Sequence, residues 1–316
     1  MGTAAGAHLP VMRDRVLELL APALTAPGAV LVDATLGRAG HARALLAAHP
    51  GLSLIGIDTD ASAIEESRVA LVDFGDRATL VQTVYDQLPQ VLADAGVSAV
   101  QGVLFDLGVS SPQLDDPRRG FAYAEDAPLD MRMNQAAGLT AADVLNSYSA
   151  GELARVLREY GEERFSRRIA DAVVRERARA PLTSSSQLAH IVRESIPAPA
   201  RRTGGNPAKR TFQALRIEVN DELGALERAL PAALELLRPG GRLAVISFHS
   251  LEDRIVKQFL REKERGCTCP PDFPVCVCGQ EPELRALERR PIRPTAAEVA
   301  ANPRAASARL RAAVKV

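Results

Sequence analysis

The stretch that most constrains this chain is A-V-L-V-D-A-T-L-G-R-A-G-H, which begins at Ala29. Its first apolar residues are typical of a short buried strand, which Asp33 ends. Two glycines, Gly37 and Gly40, then turn the backbone into a predicted helix. A second apolar run, L-S-L-I-G-I-D, follows and ends in Asp58. Strand, glycine turn, helix, strand and terminal acid form the first half of a nucleotide-binding α/β sheet.

The glycine turn bears on which cofactor such a sheet would hold. A dinucleotide site has the pattern G-x-G-x-x-G, whereas this turn reads G-R-A-G-H and lacks the middle glycine. S-adenosylmethionine has no phosphate but keeps the adenosine ribose, whose hydroxyls can donate to Asp58. On these residues alone, a methyl donor, a dinucleotide and an ordinary crossover without a ligand all stay open.

Three further strand candidates continue the alternation of strands and helices. They are Ala78–Val84, Val100–Leu107 and Arg242–Ser247. Helical segments separate the first four strands, so the sequence predicts a doubly wound parallel α/β sheet. Ligand-facing residues lie at the carboxyl ends of strands in such a sheet, which makes Asp106 a candidate. We expect residues 309–316 to form an edge strand.

The alternation stops after the fourth strand. Residues 108–130 are rich in turn formers and too long for an ordinary connection, which favours a functional loop, with a flexible insertion as the alternative. From residue 140 to residue 197, apolar residues recur at helical spacing. We therefore expect a sheet domain in two parts, 1–112 and 211–316, and an inserted, mainly helical substrate-recognition domain over 113–210.

The charge of the chain is balanced, with 39 basic and 39 acidic side chains, so a nucleic-acid partner would have to be met by a local patch. The stretch 201–216, R-R-T-G-G-N-P-A-K-R-T-F-Q-A-L-R, has five cations and no acid. It predicts a loop in which Arg201, Arg202, Lys209 and Arg210 contact phosphates; a solvated linker is the alternative.

All four cysteines lie between Cys267 and Cys278, in the pattern C-x-C-x6-C-x-C. Four thiolates can bind zinc tetrahedrally, although structural zinc sites usually have two to four residues between paired cysteines. A structural zinc and reduced thiols both stay open, and the clustering disfavours a disulfide framework. We assign no metal ligand.

The first residues, M-G-T-A-A-G-A-H-L-P, lack a basic region followed by an apolar one, and no apolar run approaches a membrane span. Hydrophobic residues make up 47% of the chain, enough for a sizeable core. These features lead us to expect a soluble, cytoplasmic protein without a membrane partner.

Several long motifs run through the chain, among them D-A-T-L-G-R-A-G-H, F-D-L-G-V-S-S-P-Q-L-D, K-R-T-F-Q-A-L-R-I-E-V-N and S-F-H-S-L-E-D-R. These motifs resemble those of bacterial 16S ribosomal RNA cytosine-N4 methyltransferases. The similarity runs over nearly the whole chain. It implies a class I, Rossmann-like methyltransferase sheet with an inserted helical domain. It also implies methyl transfer from S-adenosylmethionine to the N4 amine of a cytidine in the decoding region of 16S ribosomal RNA.

The resemblance also implies which residues bind the methyl donor. By position they are Ala39, Gly40, His41, Asp58, Tyr85, Asp106 and Gln113. The turn usually reads G-x-G-G-H in this family, and here Ala39 replaces one glycine. The Tyr85 ring can stack on adenine. The implied partner is the small ribosomal subunit, and we expect a monomer or a homodimer.

The chemistry requires groups that orient the cytosine amine and accept its hydrogens. Candidate acceptors are Asp106, Ser110 and Ser111, and Tyr123 or Phe121 could stack on an unstacked cytidine. In the alternative, Asp106 only binds the donor and the serines only shape the turn. A small-molecule methyltransferase and an RNA-binding assembly factor without catalysis are the competing functions.

Overall fold

The computed structural model describes residues 10–122, 126–201, 206–266, 269, 273, 275 and 278–316. The chain separates into two compact units, which we call the sheet unit (Met1–Gly108 with Gly224–Val316) and the helical unit (Val109–Leu223). The range 113–210, expected to be an inserted domain, lies inside the helical unit. None of the helices in the described parts of the chain is long and apolar enough to cross a bilayer.

The sheet unit is built on seven strands in the order β3-β2-β1-β4-β5-β7-β6. The strands are β1 (Val30–Asp33), β2 (Ser53–Asp58), β3 (Ala78–Gln82), β4 (Val100–Asp106), β5 (Leu237–Ser247), β6 (Leu284–Ala286) and β7 (Arg309–Lys315). The first five run parallel, and β7 is antiparallel to both of its neighbours. The predicted doubly wound α/β sheet is confirmed.

The C-terminal strand differs from its predicted place at the edge of the sheet. Strand β7 lies between β5 and β6, and Val314 aligns with Arg242 on one side and with Arg285 on the other. The edge on this side is β6, which has only three residues. The prediction was wrong because β6, with three residues, is too short to show the alternation of a strand. The sequence of β7 also does not indicate that this strand pairs on both of its sides.

The helices follow in chain order. They are α1 (Arg13–Leu24), α2 (Gly40–Ala48), α3 (Ala61–Ala70), α4 (Leu88–Asp94), α5 (Ser111–Asp115), α6 (Ala141–Ser147), α7 (Ala150–Glu159), α8 (Ser166–Arg177), α9 (Ser185–Ser195), α10 (Ala198–Arg201), α11 (Lys209–Asn220), α12 (Glu222–Leu236), α13 (Ser250–Arg265) and α14 (Ala296–Ala301). Helices α5 to α11 belong to the helical unit.

Helices cover both faces of the sheet, because successive residues of a strand point to opposite sides. Leu31 of β1 joins a core with apolar residues of α1, α2 and α3. Its neighbour Val32 joins a second core with residues of α4, α12 and α13. Both side chains are fully buried. Burial on two faces leaves the loops at the strand ends as the place for a site.

The helical unit has its own core. Leu153, Val156 and Leu157 of α7 are buried in it, as are Ile169 and Val173 of α8. These residues recur at the three-to-four spacing that predicted helices here, so the expected helical character of the segment is confirmed. A separate core makes this unit compact in its own right.

Candidate active site

The candidate site lies at the carboxyl ends of the parallel strands. The strand order reverses between β1 and β4, where the crevice of an open α/β sheet forms. Strands β1, β2 and β4 end in Asp33, Asp58 and Asp106, respectively. Three carboxyl groups therefore lie along one edge, beside the glycine turn that leads into α2.

The glycine turn has two residues in the left-handed region, with φ of 53° at Gly37 and 57° at Ala39. An alanine in this region costs about 1 kcal/mol, and Ala39 is held there with its N–H donating to the Leu36 carbonyl over 2.8 Å. Gly40 serves packing, because a Cβ at this position would lie 2.4 Å from Cγ of Pro10. The requirement for Gly40 therefore comes from the segment before α1, which local sequence cannot reveal.

Asp58 is fixed by main-chain donors on both of its oxygens. Oδ2 accepts from the N–H of Gly37 over 2.8 Å, and Oδ1 accepts from the N–H of Asp60 over 2.9 Å. Burial raises the pKa of the Asp58 carboxyl, and these backbone hydrogen bonds offset part of the rise. Each oxygen keeps a further lone pair, so the carboxylate is preoriented to accept from the two hydroxyls of a ribose.

His41 and Asp106 place unpaired polar atoms inside the site. His41 is 5% exposed, and neither of its ring nitrogens has a hydrogen-bond partner in the described structure. Its Nε2 lies 3.5 Å from Oδ2 of Asp106, close enough for charge attraction but too far for a good hydrogen bond. Oδ1 of Asp106 is also without a partner among the described residues. Buried groups left in this state are typical of a site that a ligand completes.

Asp33 is a site residue that the sequence pointed to only as the end of a strand. It is 1% exposed, and Oδ1 accepts from the Thr35 N–H over 3.3 Å. The Thr35 hydroxyl in turn accepts from the Asp106 N–H over 2.5 Å, which connects the ends of β1 and β4. Burial raises the pKa of Asp33 to about 7, with the charge of His41 opposing the rise and that of Asp106 adding to it. An acid that ends a fully apolar strand is the signal that could have identified it.

Tyr85 follows β3 and packs edge-on against Phe105, with ring centroids 5.6 Å apart and planes at 89°. Phe105 precedes Asp106, so this contact holds the tyrosine ring against β4. The ring is half-buried. The sheet unit thus contains six of the predicted donor-binding residues: Ala39, Gly40, His41, Asp58, Tyr85 and Asp106.

The other predicted site residues belong to the helical unit. Ser110 and Gln113 form a capping box at the start of α5, in which the Ser110 N–H donates to Oε1 of Gln113 over 2.9 Å. Gln113 is buried and Ser111 is half-buried. Tyr123, proposed to stack on the base, lies outside the described residues.

Two further groups lie in motifs of the sequence described above. His249, in the motif S-F-H-S-L-E-D-R, caps α13, where its Nδ1 accepts from the Glu252 N–H over 3.4 Å. Cys267 and Cys276 lie outside the described residues, so the alternative of a zinc site on the four cysteines stays a prediction.

The geometry supports a ligand with three features. Asp58 suits a pair of neighbouring hydroxyls, the glycine turn lies beside it through the Gly37 N–H, and Tyr85 offers a ring. Ala39 itself is fully buried. The buried polar atoms of His41 and Asp106 require donors and acceptors from the ligand or the substrate. Adenosine with a charged substituent meets these requirements.

Comparison with known proteins gives consistent matches over the chain. A sequence model of the MraW methylase family matches residues 5–316. Ribosomal RNA small subunit methyltransferase H of Thermobifida fusca is 59% identical over 312 residues, which cover 99% of this chain and 94% of that protein. The protein of the same name from Frankia alni is 61% identical over 307 residues, which cover 97% and 94%. A solved rRNA methylase from Streptococcus thermophilus covers 98% of this chain and 99% of its own, with 13% identity and a TM-score of 0.43.

Proposed function

Because this chain belongs to the MraW methylase family, we propose that it methylates the N4 amine of a cytidine in the decoding region of 16S ribosomal RNA. The chain is a class I methyltransferase, its methyl donor is S-adenosylmethionine, and its substrate is the RNA of the small ribosomal subunit. The choice of cytidine, of its N4 atom and of the decoding region rests on the motif resemblance described above.

One observation of the site supports the proposal more than any other. The buried ring of His41 and the Oδ1 atom of Asp106 lack hydrogen-bond partners among the described residues, at the switch point of the sheet. Unsatisfied buried groups are costly unless a bound molecule completes them. We assign donor binding to the six motif residues of the sheet unit, with Asp58 holding the ribose and Tyr85 facing the adenine. Donor binding by Gln113 stays an expectation from the motif resemblance.

When bound, S-adenosylmethionine supplies an electrophilic methyl group on a sulfonium, which is a strong leaving group. The cytosine amine is a weak nucleophile, because its lone pair is delocalised into the ring. The protein must therefore orient the amine in line with the methyl group and accept a hydrogen from it. We assign the acceptor role to Oδ1 of Asp106, whose other oxygen, Oδ2, lies 3.5 Å from Nε2 of His41.

Ser110 and Ser111 are the alternative acceptors, and Tyr123 or Phe121 the proposed stacking rings. The Ser110 N–H is already engaged by the capping box of α5, so Ser110 contributes to the shape of the turn whatever else it does. Ser111→Ala is therefore the sharper test of a serine acceptor. We expect it to slow turnover more than it weakens donor binding.

The proposed substrate can be tested on small-subunit RNA that this enzyme has not methylated. Small subunits from cells lacking this protein should accept one methyl group from the purified chain and S-adenosylmethionine. Digestion to nucleosides should give a product that co-elutes with authentic N4-methylcytidine, and mass mapping of RNA fragments should place it in the decoding region. Methylation of carbon 5, of another base or of another region would contradict the proposal.

Asp58→Ala should weaken binding of S-adenosylmethionine by about 10- to 100-fold, because a charged acceptor for the ribose hydroxyls is lost. Titration calorimetry measures the affinity, and thermal unfolding shows whether the turn at Gly37, which also uses this carboxylate, stays folded. Asp58→Asn is the matched control, since it keeps one acceptor oxygen and should lose less affinity. Unchanged affinity in a folded Asp58→Ala protein would remove Asp58 from the donor site.

A further inference from the structure

The helical unit has a cluster of cations around the starts of two of its helices. Arg164 precedes α8, Arg167 and Arg168 lie in its first turn, and Lys209 and Arg210 begin α11. All five side chains are exposed. We call these five residues the basic surface. Neither helix has an acid in its first turn.

This placement works against the stability of the helices. The start of a helix carries a partial positive charge, so cations there are unfavourable and acids are preferred. Both α8 and α11 have this unfavourable placement of cations in the first turn. A bound anion would convert it into a favourable interaction, because the charged side chains and the helix N–H groups would then share one ligand.

The two helix starts are held together by direct contacts. The Arg210 Nη1 donates to the Glu162 carbonyl over 3.0 Å, and Nε2 of Gln213 donates to the Tyr160 carbonyl over 3.0 Å. A Cβ at Gly161 would lie 2.7 Å from the Arg210 carbonyl oxygen, so only glycine permits this approach. The first turn of α11 therefore lies against the loop that leads into α8, and the five cations share one region of the surface.

The basic surface lacks the acidic partners that other arginines of this unit have. Arg132 pairs with Asp130 at 2.8 Å, Arg155 with Glu218 at 3.4 Å, and Arg179 with Glu176 at 3.0 Å. In the described parts of the chain, no carboxylate lies within 4.0 Å of a cationic nitrogen of the basic surface. The charge of these cations is thus not neutralised by an ion pair with any described residue.

Two acids close to the basic surface in sequence, Glu163 and Asp171, form no ion pair with its cations among the described residues. Glu163 is buried, and its Oε1 accepts from the N–H of Phe165, the residue before α8, over 2.8 Å. Asp171 is exposed one turn further along α8 and forms no ion pair with Arg167 or Arg168. The guanidinium of Arg164 lies 4.7 Å from the centre of the Phe165 ring, which restricts its motion.

Arg201, which the sequence also predicted to contact phosphates, has another role. Its Nε donates to the Ile196 carbonyl over 2.7 Å, and its Nη1 lies 3.5 Å from Oε1 of Glu194. It therefore stabilises the end of α9. Arg202 lies outside the described residues. Of the four cations predicted from the sequence, Lys209 and Arg210 belong to the basic surface, the phosphate contacts of Arg201 and Arg202 stay predictions, and the structure adds the three arginines around the start of α8.

We propose that the basic surface binds backbone phosphates of the RNA that the enzyme methylates. The proposal rests on the proposed function, since it takes small-subunit RNA as the partner. Five exposed cations that have no acidic partner in the described part of the chain match a chain of phosphates, and each contact would release condensed counterions. Phosphate contacts position the RNA and do not read its sequence, so the choice of the cytidine stays with the catalytic site.

The test removes three charges from the basic surface of the full-length protein, with Arg167→Gln, Arg168→Gln and Lys209→Gln combined. Binding to small-subunit RNA is measured between 50 and 200 mM salt. We expect the triple variant to bind about 10- to 100-fold more weakly and the slope of log affinity against log salt to fall by about two to three. Affinity for S-adenosylmethionine should not change.

A second triple variant, Arg175→Gln, Arg179→Gln and Arg193→Gln, is the control. It removes the same charge from other exposed positions of the helical unit. We expect it to keep the parent salt slope. If the basic-surface variant also keeps that slope while the parent methylates the RNA, the surface proposal is wrong and the proposed function stands. If the parent neither binds nor methylates small-subunit RNA, the proposed function itself fails.

Discussion

Asp106→Asn should lower the rate of methyl transfer by about 10²- to 10⁴-fold, the range that loss of a positioned proton acceptor causes. Asparagine has the same shape and keeps one oxygen, but its amide cannot take a proton from the cytosine amine. Oδ1 of Asp106 has no hydrogen-bond partner among the described residues and is the atom assigned to this role. The rate should be measured in a single turnover on small-subunit RNA, beside donor affinity by calorimetry.

The comparison of rate with affinity separates two roles for this residue. If Asp106 only binds the donor, Asp106→Asn will lower the donor affinity and the methyl-transfer rate at subsaturating donor in parallel. Saturating donor will then restore the rate. If it accepts the proton, the rate stays low at saturating donor. Asp94→Asn, an exposed acid at the end of α4, is the matched control and should leave both quantities unchanged.

Asp33→Asn should make the protein more stable than the parent at pH 8, and the advantage should shrink as the pH falls. Burial raises the pKa of Asp33 to about 7 in the folded state, well above that of an exposed aspartate. The folded state thus holds a proton that the unfolded state has lost, so this group's stabilising contribution is present at low pH and disappears as the pH rises through about 7.

From pH 5 to pH 8 the contribution of Asp33 to the free energy of unfolding should fall by about 2 to 3 kcal/mol. Denaturant unfolding of the two proteins across this range measures it, as the change in their difference. Asparagine keeps the acceptor for the Thr35 N–H but does not titrate. Asp73→Asn, at an exposed position, is the control. A difference that stays constant with pH would mean that Asp33 is ionised in the folded state throughout.

The sequence predicted the parts of the site that depend on local pattern. Asp58 and Asp106 each end an apolar run, so strand periodicity alone placed them at the same edge of the sheet. The glycine turn was also predicted from local pattern, since Gly37 and Gly40 follow an apolar run. The cytidine N4 substrate came from the motif resemblance, because no periodicity or composition distinguishes one methyl acceptor from another.

Features that depend on distant partners could not be predicted. Gly40 is required by Pro10, thirty residues earlier, and β7 inserts beside β5 after an interval of more than sixty residues. Arg201 belongs to a cationic run that predicted a phosphate contact, yet its guanidinium is engaged by α9. The raised pKa of Asp33 arises from complete burial together with charges from β2 and β4, which appear only when the sheet has formed.

The helical unit interrupts the sheet unit in the chain, and this order affects how the protein folds during synthesis. When the ribosome has synthesised residue 223, the helical unit is complete and dominated by local helix packing, whereas the sheet has only β1 to β4. Strand β4 then has β1 on one side and an unpaired edge on the other until β5 emerges. Such an edge can pair with another nascent chain. The edge of β4 therefore stays unpaired while the whole helical unit is synthesised.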